Sequence, residues 1–510
     1  MRFDRLTFFV ILFAGCSSSP PPSAPSPRPS GLSPVQSAAA TITPQDMYDR
    51  IAYLASDELG GRDTPSPGLE KAAAYIAQQF GAFGLEPAGD SGTFIQRWPY
   101  HQTRLDPDRT SLIVKTPDAV DTYRLGTDFF VLPGQRDVAA GELLYAGTAV
   151  NGLRLGENAR GKVVALYMPG STPDASWGNA IGAAVGAALP AGASAVVLIL
   201  DPALDDAIIG QIALQVAAQQ VPISIVGLRY AAARAQFARS GLDLDQLRSD
   251  DAATTPLPDA IATINAAKSS ADSRPPNVIG MIRGSDPVLR DEVIVFSAHM
   301  DHVGTGRPDA AGDSIFNGAD DDASGTSTMI EVAQAFASLP EPPRRSILFL
   351  AVSGEEKGLL GSAYFSEYPT VQRERIVANI NLDMVGRNAP DTVVAIGQDY
   401  SSLGETVQQV AKAHPELGLV VAPDLWPQEQ LFFRSDHFSF AKNGIPAIFF
   451  TTGLHDQYHK QSDEVALIDT DKIARIGRLA FFLAHEIAMA AAKPEWTEQG
   501  RAAVGGVIRR

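Results

Sequence analysis

The sequence predicts an α/β protein: a mixed, mostly parallel sheet with helices on both faces, interrupted by a β-rich insert. Three observations predict it. Apolar runs of strand length recur at 293–296, 346–352, 376–382 and 445–450, as buried strands do. Each run leads directly or shortly into His, Asp or Glu, and in open α/β sheets a site forms beyond the carboxyl ends of the strands. Residues 139–270 differ in character: three further apolar strands accompany an Ala/Gly-rich helix at about 179–189, with no histidine.

Length and charge bound the function. The chain has 510 residues and a net charge of −17, enough for a large core and two or more domains. The acidic balance argues against a nucleic-acid partner, because phosphate binding needs clustered Lys and Arg. Cys16 is the single cysteine, so a disulfide framework, a cysteine zinc site and a cysteine nucleophile are all excluded in the mature chain.

In chain order, residues 1–16 read as an export signal, with Arg2 and Arg5 before the apolar run Leu6–Ala14, which is too short to span a bilayer. Its end, Phe13-Ala14-Gly15-Cys16, resembles a bacterial lipoprotein signal. That resemblance implies an exported cell-envelope protein whose membrane contact is a lipidated Cys16; Ser17 fits outer-membrane sorting. Residues 17–40, rich in Ser, Pro and Ala, are expected to be a tether. Thr43 caps a helix that Pro44 opens and Asp46 favours, and a second helix runs from about Leu69 to Phe83, where Gly84 stops it. The expected organisation is 41–138 and 271–495 as one split domain, 139–270 as its insert, and 496–510 as a tail.

The polar residues beyond the strands form a pattern. His299 and Asp301 follow the first run, and Asp320, Asp321 and Asp322 come in a row soon after. Adjacent carboxylates repel unless a cation neutralises them, and imidazole with carboxylates and no thiol suits zinc or a similar ion. The second run ends in Ser353-Gly354-Glu355-Glu356, the third in Asp383, and the fourth leads to Tyr458, His459 and Asp463. Singly, these read as an acidic loop, a turn, a helix cap and a surface histidine. Together they occupy equivalent topological positions.

The ordered motifs HMD, GADDDASG, SGEEKGLLGS, NLDMVG, RSDHFSFAKNGIP and YHKQSDE resemble the co-catalytic di-zinc exopeptidase family over about 40–138 and 275–492. Gly161-Lys162-Val163 and Gly192-Ala193 make 139–270 similar to the protease-associated domain inserted in some members. The resemblance implies the zinc exopeptidase fold and two Zn²⁺ ions. His299 and Asp383 would hold one ion, Glu356 and His459 the other, with Asp321 bridging. Glu355 would be the general base, Asp301 would fix the tautomer of His299, Asp322 would shape the backbone beside the bridge, and Tyr458 would donate to the developing oxyanion. The implied activity is that of an aminopeptidase acting on peptides with a free amino terminus. The alternatives are a carboxypeptidase, for which Arg434 is a candidate carboxylate binder, a glutaminyl cyclase, or a non-enzymatic surface lipoprotein.

Overall fold

The computed structural model describes residues 31–132, 134, 136–170, 175–204, 209, 222–249, 254–306 and 308–508. The expected signal with Cys16, and residues 17–30 of the expected tether, lie outside the described residues. The chain divides into two compact units: one comprises the chain up to Gln96, Pro276–Val303 and the chain from Asn317 onward, and the other Arg97–Pro275 with Gly304–Phe316.

The first unit is built on a nine-stranded sheet. Its central strands lie in the order Pro276–Ile282, Ser346–Val352, Val293–His299, Ile376–Leu382, Ala447–Thr451. The last four are parallel to one another, so their carboxyl ends share one edge of the sheet. His299 pairs with Val352 and Ser297 with Asn381, which brings the segments after each strand side by side. Every residue of these four strands is buried, and the period-two alternation serves both faces. Ile294, Phe296 and Ala298 pack with Met329 and Phe336 of the helix Gly325–Ala337 and Phe481 of Thr470–Met489. Val293 and Val295 pack with Phe365 of Leu360–Glu367 and Phe440 of His437–Ala441. The mixed sheet with helices on both faces is therefore present.

Several boundaries move. The tether expected to 40 ends earlier, because Ser33 and Gln36 form a reciprocal capping box on the helix Pro34–Ala39, whose Ala38 and Ala39 enter the core. The expected tail carries the helix Glu498–Ile508, with Val504 buried and Trp496 Nε1 donating to the Gly444 carbonyl at 2.8 Å. The insert expected over 139–270 is wider. Ser111–Lys115 and Tyr100–Leu105 pair with Thr255–Asn265 and Lys268–Ser273, so main-chain hydrogen bonding assigns them to the second unit. The same pairing makes strands of Thr255–Asn265 and Lys268–Ser273. That unit carries an eight-stranded sheet, from Val120–Arg124 at one edge to Phe129–Leu132 at the other, with an apolar cluster on each face. Among the described residues, no helix is long and apolar enough to cross a membrane.

Arg62 connects the first unit's amino-terminal helices to the edge where the strands end. It is buried, with positive φ after Gly60-Gly61. Its guanidinium donates to the carbonyls of Leu54, of Met300 at 2.9 Å, of Asn317 at 2.7 Å and of Gly318 at 3.0 Å. Burial pulls its pKa down to about 10 against the opposing pull of Asp321 and Asp301, so it remains charged at neutral pH. Each carbonyl left unpaired in the interior costs about 1–3 kcal/mol. Arg62→Ala should therefore lower stability by more than about 3 kcal/mol in urea unfolding; an unchanged midpoint and slope would refute this.

Candidate metal centre

His299 is the last residue of its strand and is buried. Its Nδ1 is 3.2 Å from the main-chain oxygen of Asp301 and 4.0 Å from the Asp301 carboxylate. The carbonyl, rather than the expected carboxylate, is thus the nearer partner that sets the tautomer and leaves Nε2 facing the site. The Asp301 carboxylate does different work: it accepts from Gly354 N at 2.8 Å, Glu355 N at 3.3 Å and Thr64 Oγ1 at 2.9 Å. It therefore holds the turn that carries Glu355 and Glu356.

The three consecutive aspartates divide into separate roles. Asp322 accepts from the main-chain N–H of His299, Gly325 and Met384 at 3.2, 2.9 and 3.1 Å, tying three segments together, as the backbone role implied. Asp320 accepts from Gly386 N at 2.6 Å and lies 3.2 Å from His455 Nε2. Asp321 divides its carboxylate: Oδ1 is 3.3 Å from His299 Nε2, and Oδ2 is 3.1 Å from His459 Nε2. Asp463, reached through the motif after His459, accepts from Asp320 N and Asp321 N and so braces this segment.

Two donor sets meet on Asp321. One is His299, Asp321 and Asp383, with His299 Nε2 3.5 Å from Asp383 Oδ1. The other is His302, Asp321, Glu356 and His459, the last three expected from the sequence, with His459 Nε2 3.1 Å from Glu356 Oε2. Tetrahedral zinc with bonds of 2.0–2.2 Å holds neighbouring donors roughly 3.3 Å apart, and these separations fit. The residues present therefore suit two divalent ions sharing one carboxylate. All five ligand positions expected from the sequence are brought together.

The electrostatics agree. Burial acts to lower the His299 pKa, but Asp383 and Glu355 outweigh it and raise it well above the usual imidazole value. His459 is raised to about 10, since its bonds to Asp321 and Glu356 overcome burial. Burial and Asp321 push Glu356 up, yet bonds from His302 and His459 hold it at about 2. Without a cation, protons on the imidazoles offset the carboxylates; metal ions would take over that role.

Glu355 and Tyr458 line the same pocket as His299, Asp321 and Asp383. Burial, with Glu356 beside it, raises the Glu355 pKa well above the carboxylate range despite His299. Burial and then Asp321 push the Tyr458 phenol upward. The rest of the wall is largely apolar, with Met384, Leu431, Phe449 and Leu454, and Arg434 also lines it. Arg434 Nη1 is 3.1 Å from Glu429 Oε2. Sequence reasoning missed Arg62, Thr64 and His302. His302 had a signal, three residues after His299; Arg62 and Thr64 had none that periodicity or donor spacing reads.

A family model described as peptidase family M28 matches residues 277–484, the span that supplies every one of these donors. A probable leucine aminopeptidase of Arthroderma otae is 29% identical to the chain over 218 residues, covering 41% of this chain and 58% of the relative. Aminopeptidase YwaD of Bacillus subtilis is 26% identical over 226 residues, covering 43% and 46%. The chain spans about half the length of the curated relatives it matches. An aminopeptidase from Aneurinibacillus sp. strain AM-1 superposes with TM-score 0.56 at 19% identity, covering 91% of this chain and 97% of that one. A zinc aminopeptidase from Bacillus subtilis gives 0.54 at 19% identity, covering 89% and 97%. These structural likenesses show that the chain shares the mixed α/β fold of those aminopeptidases.

Because Asp321 is the one donor common to both sets, Asp321→Ala should leave at most one tightly held ion. Equilibrium dialysis with metal analysis measures this, and two retained ions would remove the bridge.

Proposed function

We propose that this protein is a di-zinc aminopeptidase that releases amino-terminal residues from peptides. The observation that carries the reading is the divided carboxylate of Asp321, one oxygen toward His299 and the other toward His459, with Glu355 on the same pocket wall. The match to the M28 family model and the aminopeptidase names of its relatives support it.

In this reading, Asp321, His299 and Asp383 would hold one zinc, and Asp321, Glu356 and His459 would hold the other. Bound zinc supplies Lewis acidity toward the scissile carbonyl and makes water acidic enough to be deprotonated near neutral pH. Glu355 accepts the proton of the attacking water and passes it to the departing amine. Tyr458, whose phenol stays protonated, donates to the oxygen on which negative charge develops. The acidic wall attracts the substrate's α-ammonium, and Met384, Leu431, Phe449 and Leu454 offer an apolar seat to the first side chain.

Arg434 on the pocket wall favours a second reading, a carboxypeptidase that captures a terminal carboxylate. Its ion pair with Glu429 places the aminopeptidase first. Leucyl-alanine amide and N-acetyl-leucyl-alanine separate the two. Cleavage of the amide alone is expected, and cleavage of the blocked acid alone would establish the carboxypeptidase.

The role of Glu355 has its own test. Glu355→Gln keeps the shape but removes the base, so kcat should fall roughly 10²–10⁴-fold, with both zinc ions retained and KM little changed. Loss of a zinc ion would reassign Glu355 as a ligand.

Anchoring to the cell envelope belongs to the same proposal and rests on the signal at 1–16 with its single cysteine. Acyl labelling should disappear in Cys16→Ser; persistence of the label would reject the anchor.

A further inference from the structure

His302 is not among the five expected ligands, yet it is fully buried in the donor group of Asp321, Glu356 and His459. Its Nδ1 is 2.8 Å from Glu356 Oε1, whereas Glu356 Oε2 is 3.1 Å from His459 Nε2. The Glu356 carboxylate is therefore divided between an outer imidazole and the donor set it shares with Asp321 and His459.

The ring sits in a built seat. Gly318 has φ of +59°, and a Cβ there would fall 2.6 Å from Cγ and Cδ2 of His302, so no larger residue fits beside the imidazole. On another side the His459 ring packs against it, centroids 5.6 Å apart and planes at 70°. The main-chain N–H of His302 donates to the Arg62 carbonyl at 3.3 Å, linking the seat to the guanidinium that braces Met300 and Gly318.

The hydrogen-bonding pattern separates two roles for this ring. A metal-ligating histidine almost always donates its other ring N–H to a carbonyl or carboxylate, as the contact between His299 Nδ1 and the Asp301 carbonyl illustrates. His302 Nε2 is buried and has no hydrogen-bond partner among the described residues. A hydrogen on Nε2 would be an unpaired buried donor, which is costly; a hydrogen on Nδ1 is paired with Glu356. The hydrogen therefore belongs on Nδ1, and the ring acts as a donor.

We propose that His302 is a positioning residue for Glu356, occupying Oε1 so that only Oε2 is offered to the ion shared with Asp321 and His459. An untethered carboxylate would be free to chelate through both oxygens and fill a coordination position that a catalytic site keeps open. The proposal rests on the di-zinc reading given above.

The test uses the full chain, stripped with a chelator and then titrated with zinc against a chromophoric competitor. Visible spectra of the cobalt-loaded protein accompany the titration. The variants are His302→Ala and His302→Asn, the latter because its amide nitrogen falls near the position of Nδ1. Wild type should take up two zinc ions. His302→Ala should weaken one of them by about 10–100-fold, the usual worth of an outer partner of a ligand. It should leave the other ion at wild-type affinity, which also shows that the site is folded. Its cobalt bands should lose intensity as the coordination number rises, and His302→Asn should restore most of the affinity and the spectrum.

Wild-type affinity for both ions in His302→Ala overturns the proposal. So does a His302→Asn variant as weak as the alanine variant, which would mark His302 as a ligand itself. A wild-type protein that takes up fewer than two zinc ions overturns the di-zinc reading, and the proposal with it.

Discussion

Concentrated negative charge at one edge of a buried sheet is the constraint on which the rest of the first unit depends. Asp301, Asp320, Asp321, Asp322, Asp383 and Asp463 are all buried, with Glu355 and Glu356 beside them. Carboxylates in such a setting must be hydrogen-bonded, paired or protonated. The fold resolves this by dividing them. Asp301, Asp322 and Asp463 accept main-chain N–H groups and hold loops. Asp321 and Glu356 face imidazoles across distances that suit metal–ligand geometry. The residues that build the backbone and the residues that would bind ions are chemically alike, and amide contacts separate them.

Parallel topology makes this arrangement possible. Four adjacent parallel strands end at one edge, so His299 at the end of its strand, and Glu355, Glu356, Asp383 and His459 in the segments after the others, meet in a common place. The loops are fastened from below and behind. Ser435 Oγ donates to Asp383 Oδ2 at 2.7 Å and accepts from Asn381 Nδ2 at 2.8 Å, continuing a polar thread through Ser297. Arg62 gathers four carbonyls from three segments. Such groups are buried at a cost, and their energetic benefit is a loop edge held in one geometry, which metal ligation and base catalysis both require.

Within the described residues, the sequence alone determined the α/β class, the four strands and the positions of the expected donors. Apolar runs of strand length and the polar residues that end them are local properties of the chain. Tertiary structure decided the rest, because it depends on partners far apart in sequence. Strand pairing moved the insert's border to Arg97, since Tyr100–Leu105 finds its partner beyond residue 267. A capping box and apolar contacts drew Pro34–Ala39 out of the expected tether. The carbonyl of Asp301 took the contact with His299 expected of its carboxylate, because that carboxylate is drawn to N–H groups of a loop more than fifty residues away. His302 and Arg62 gained their places only through the loops folded over them. Hydrophobic periodicity and donor spacing are written along the chain; hydrogen-bond partners across the sheet are chosen only when the strands align.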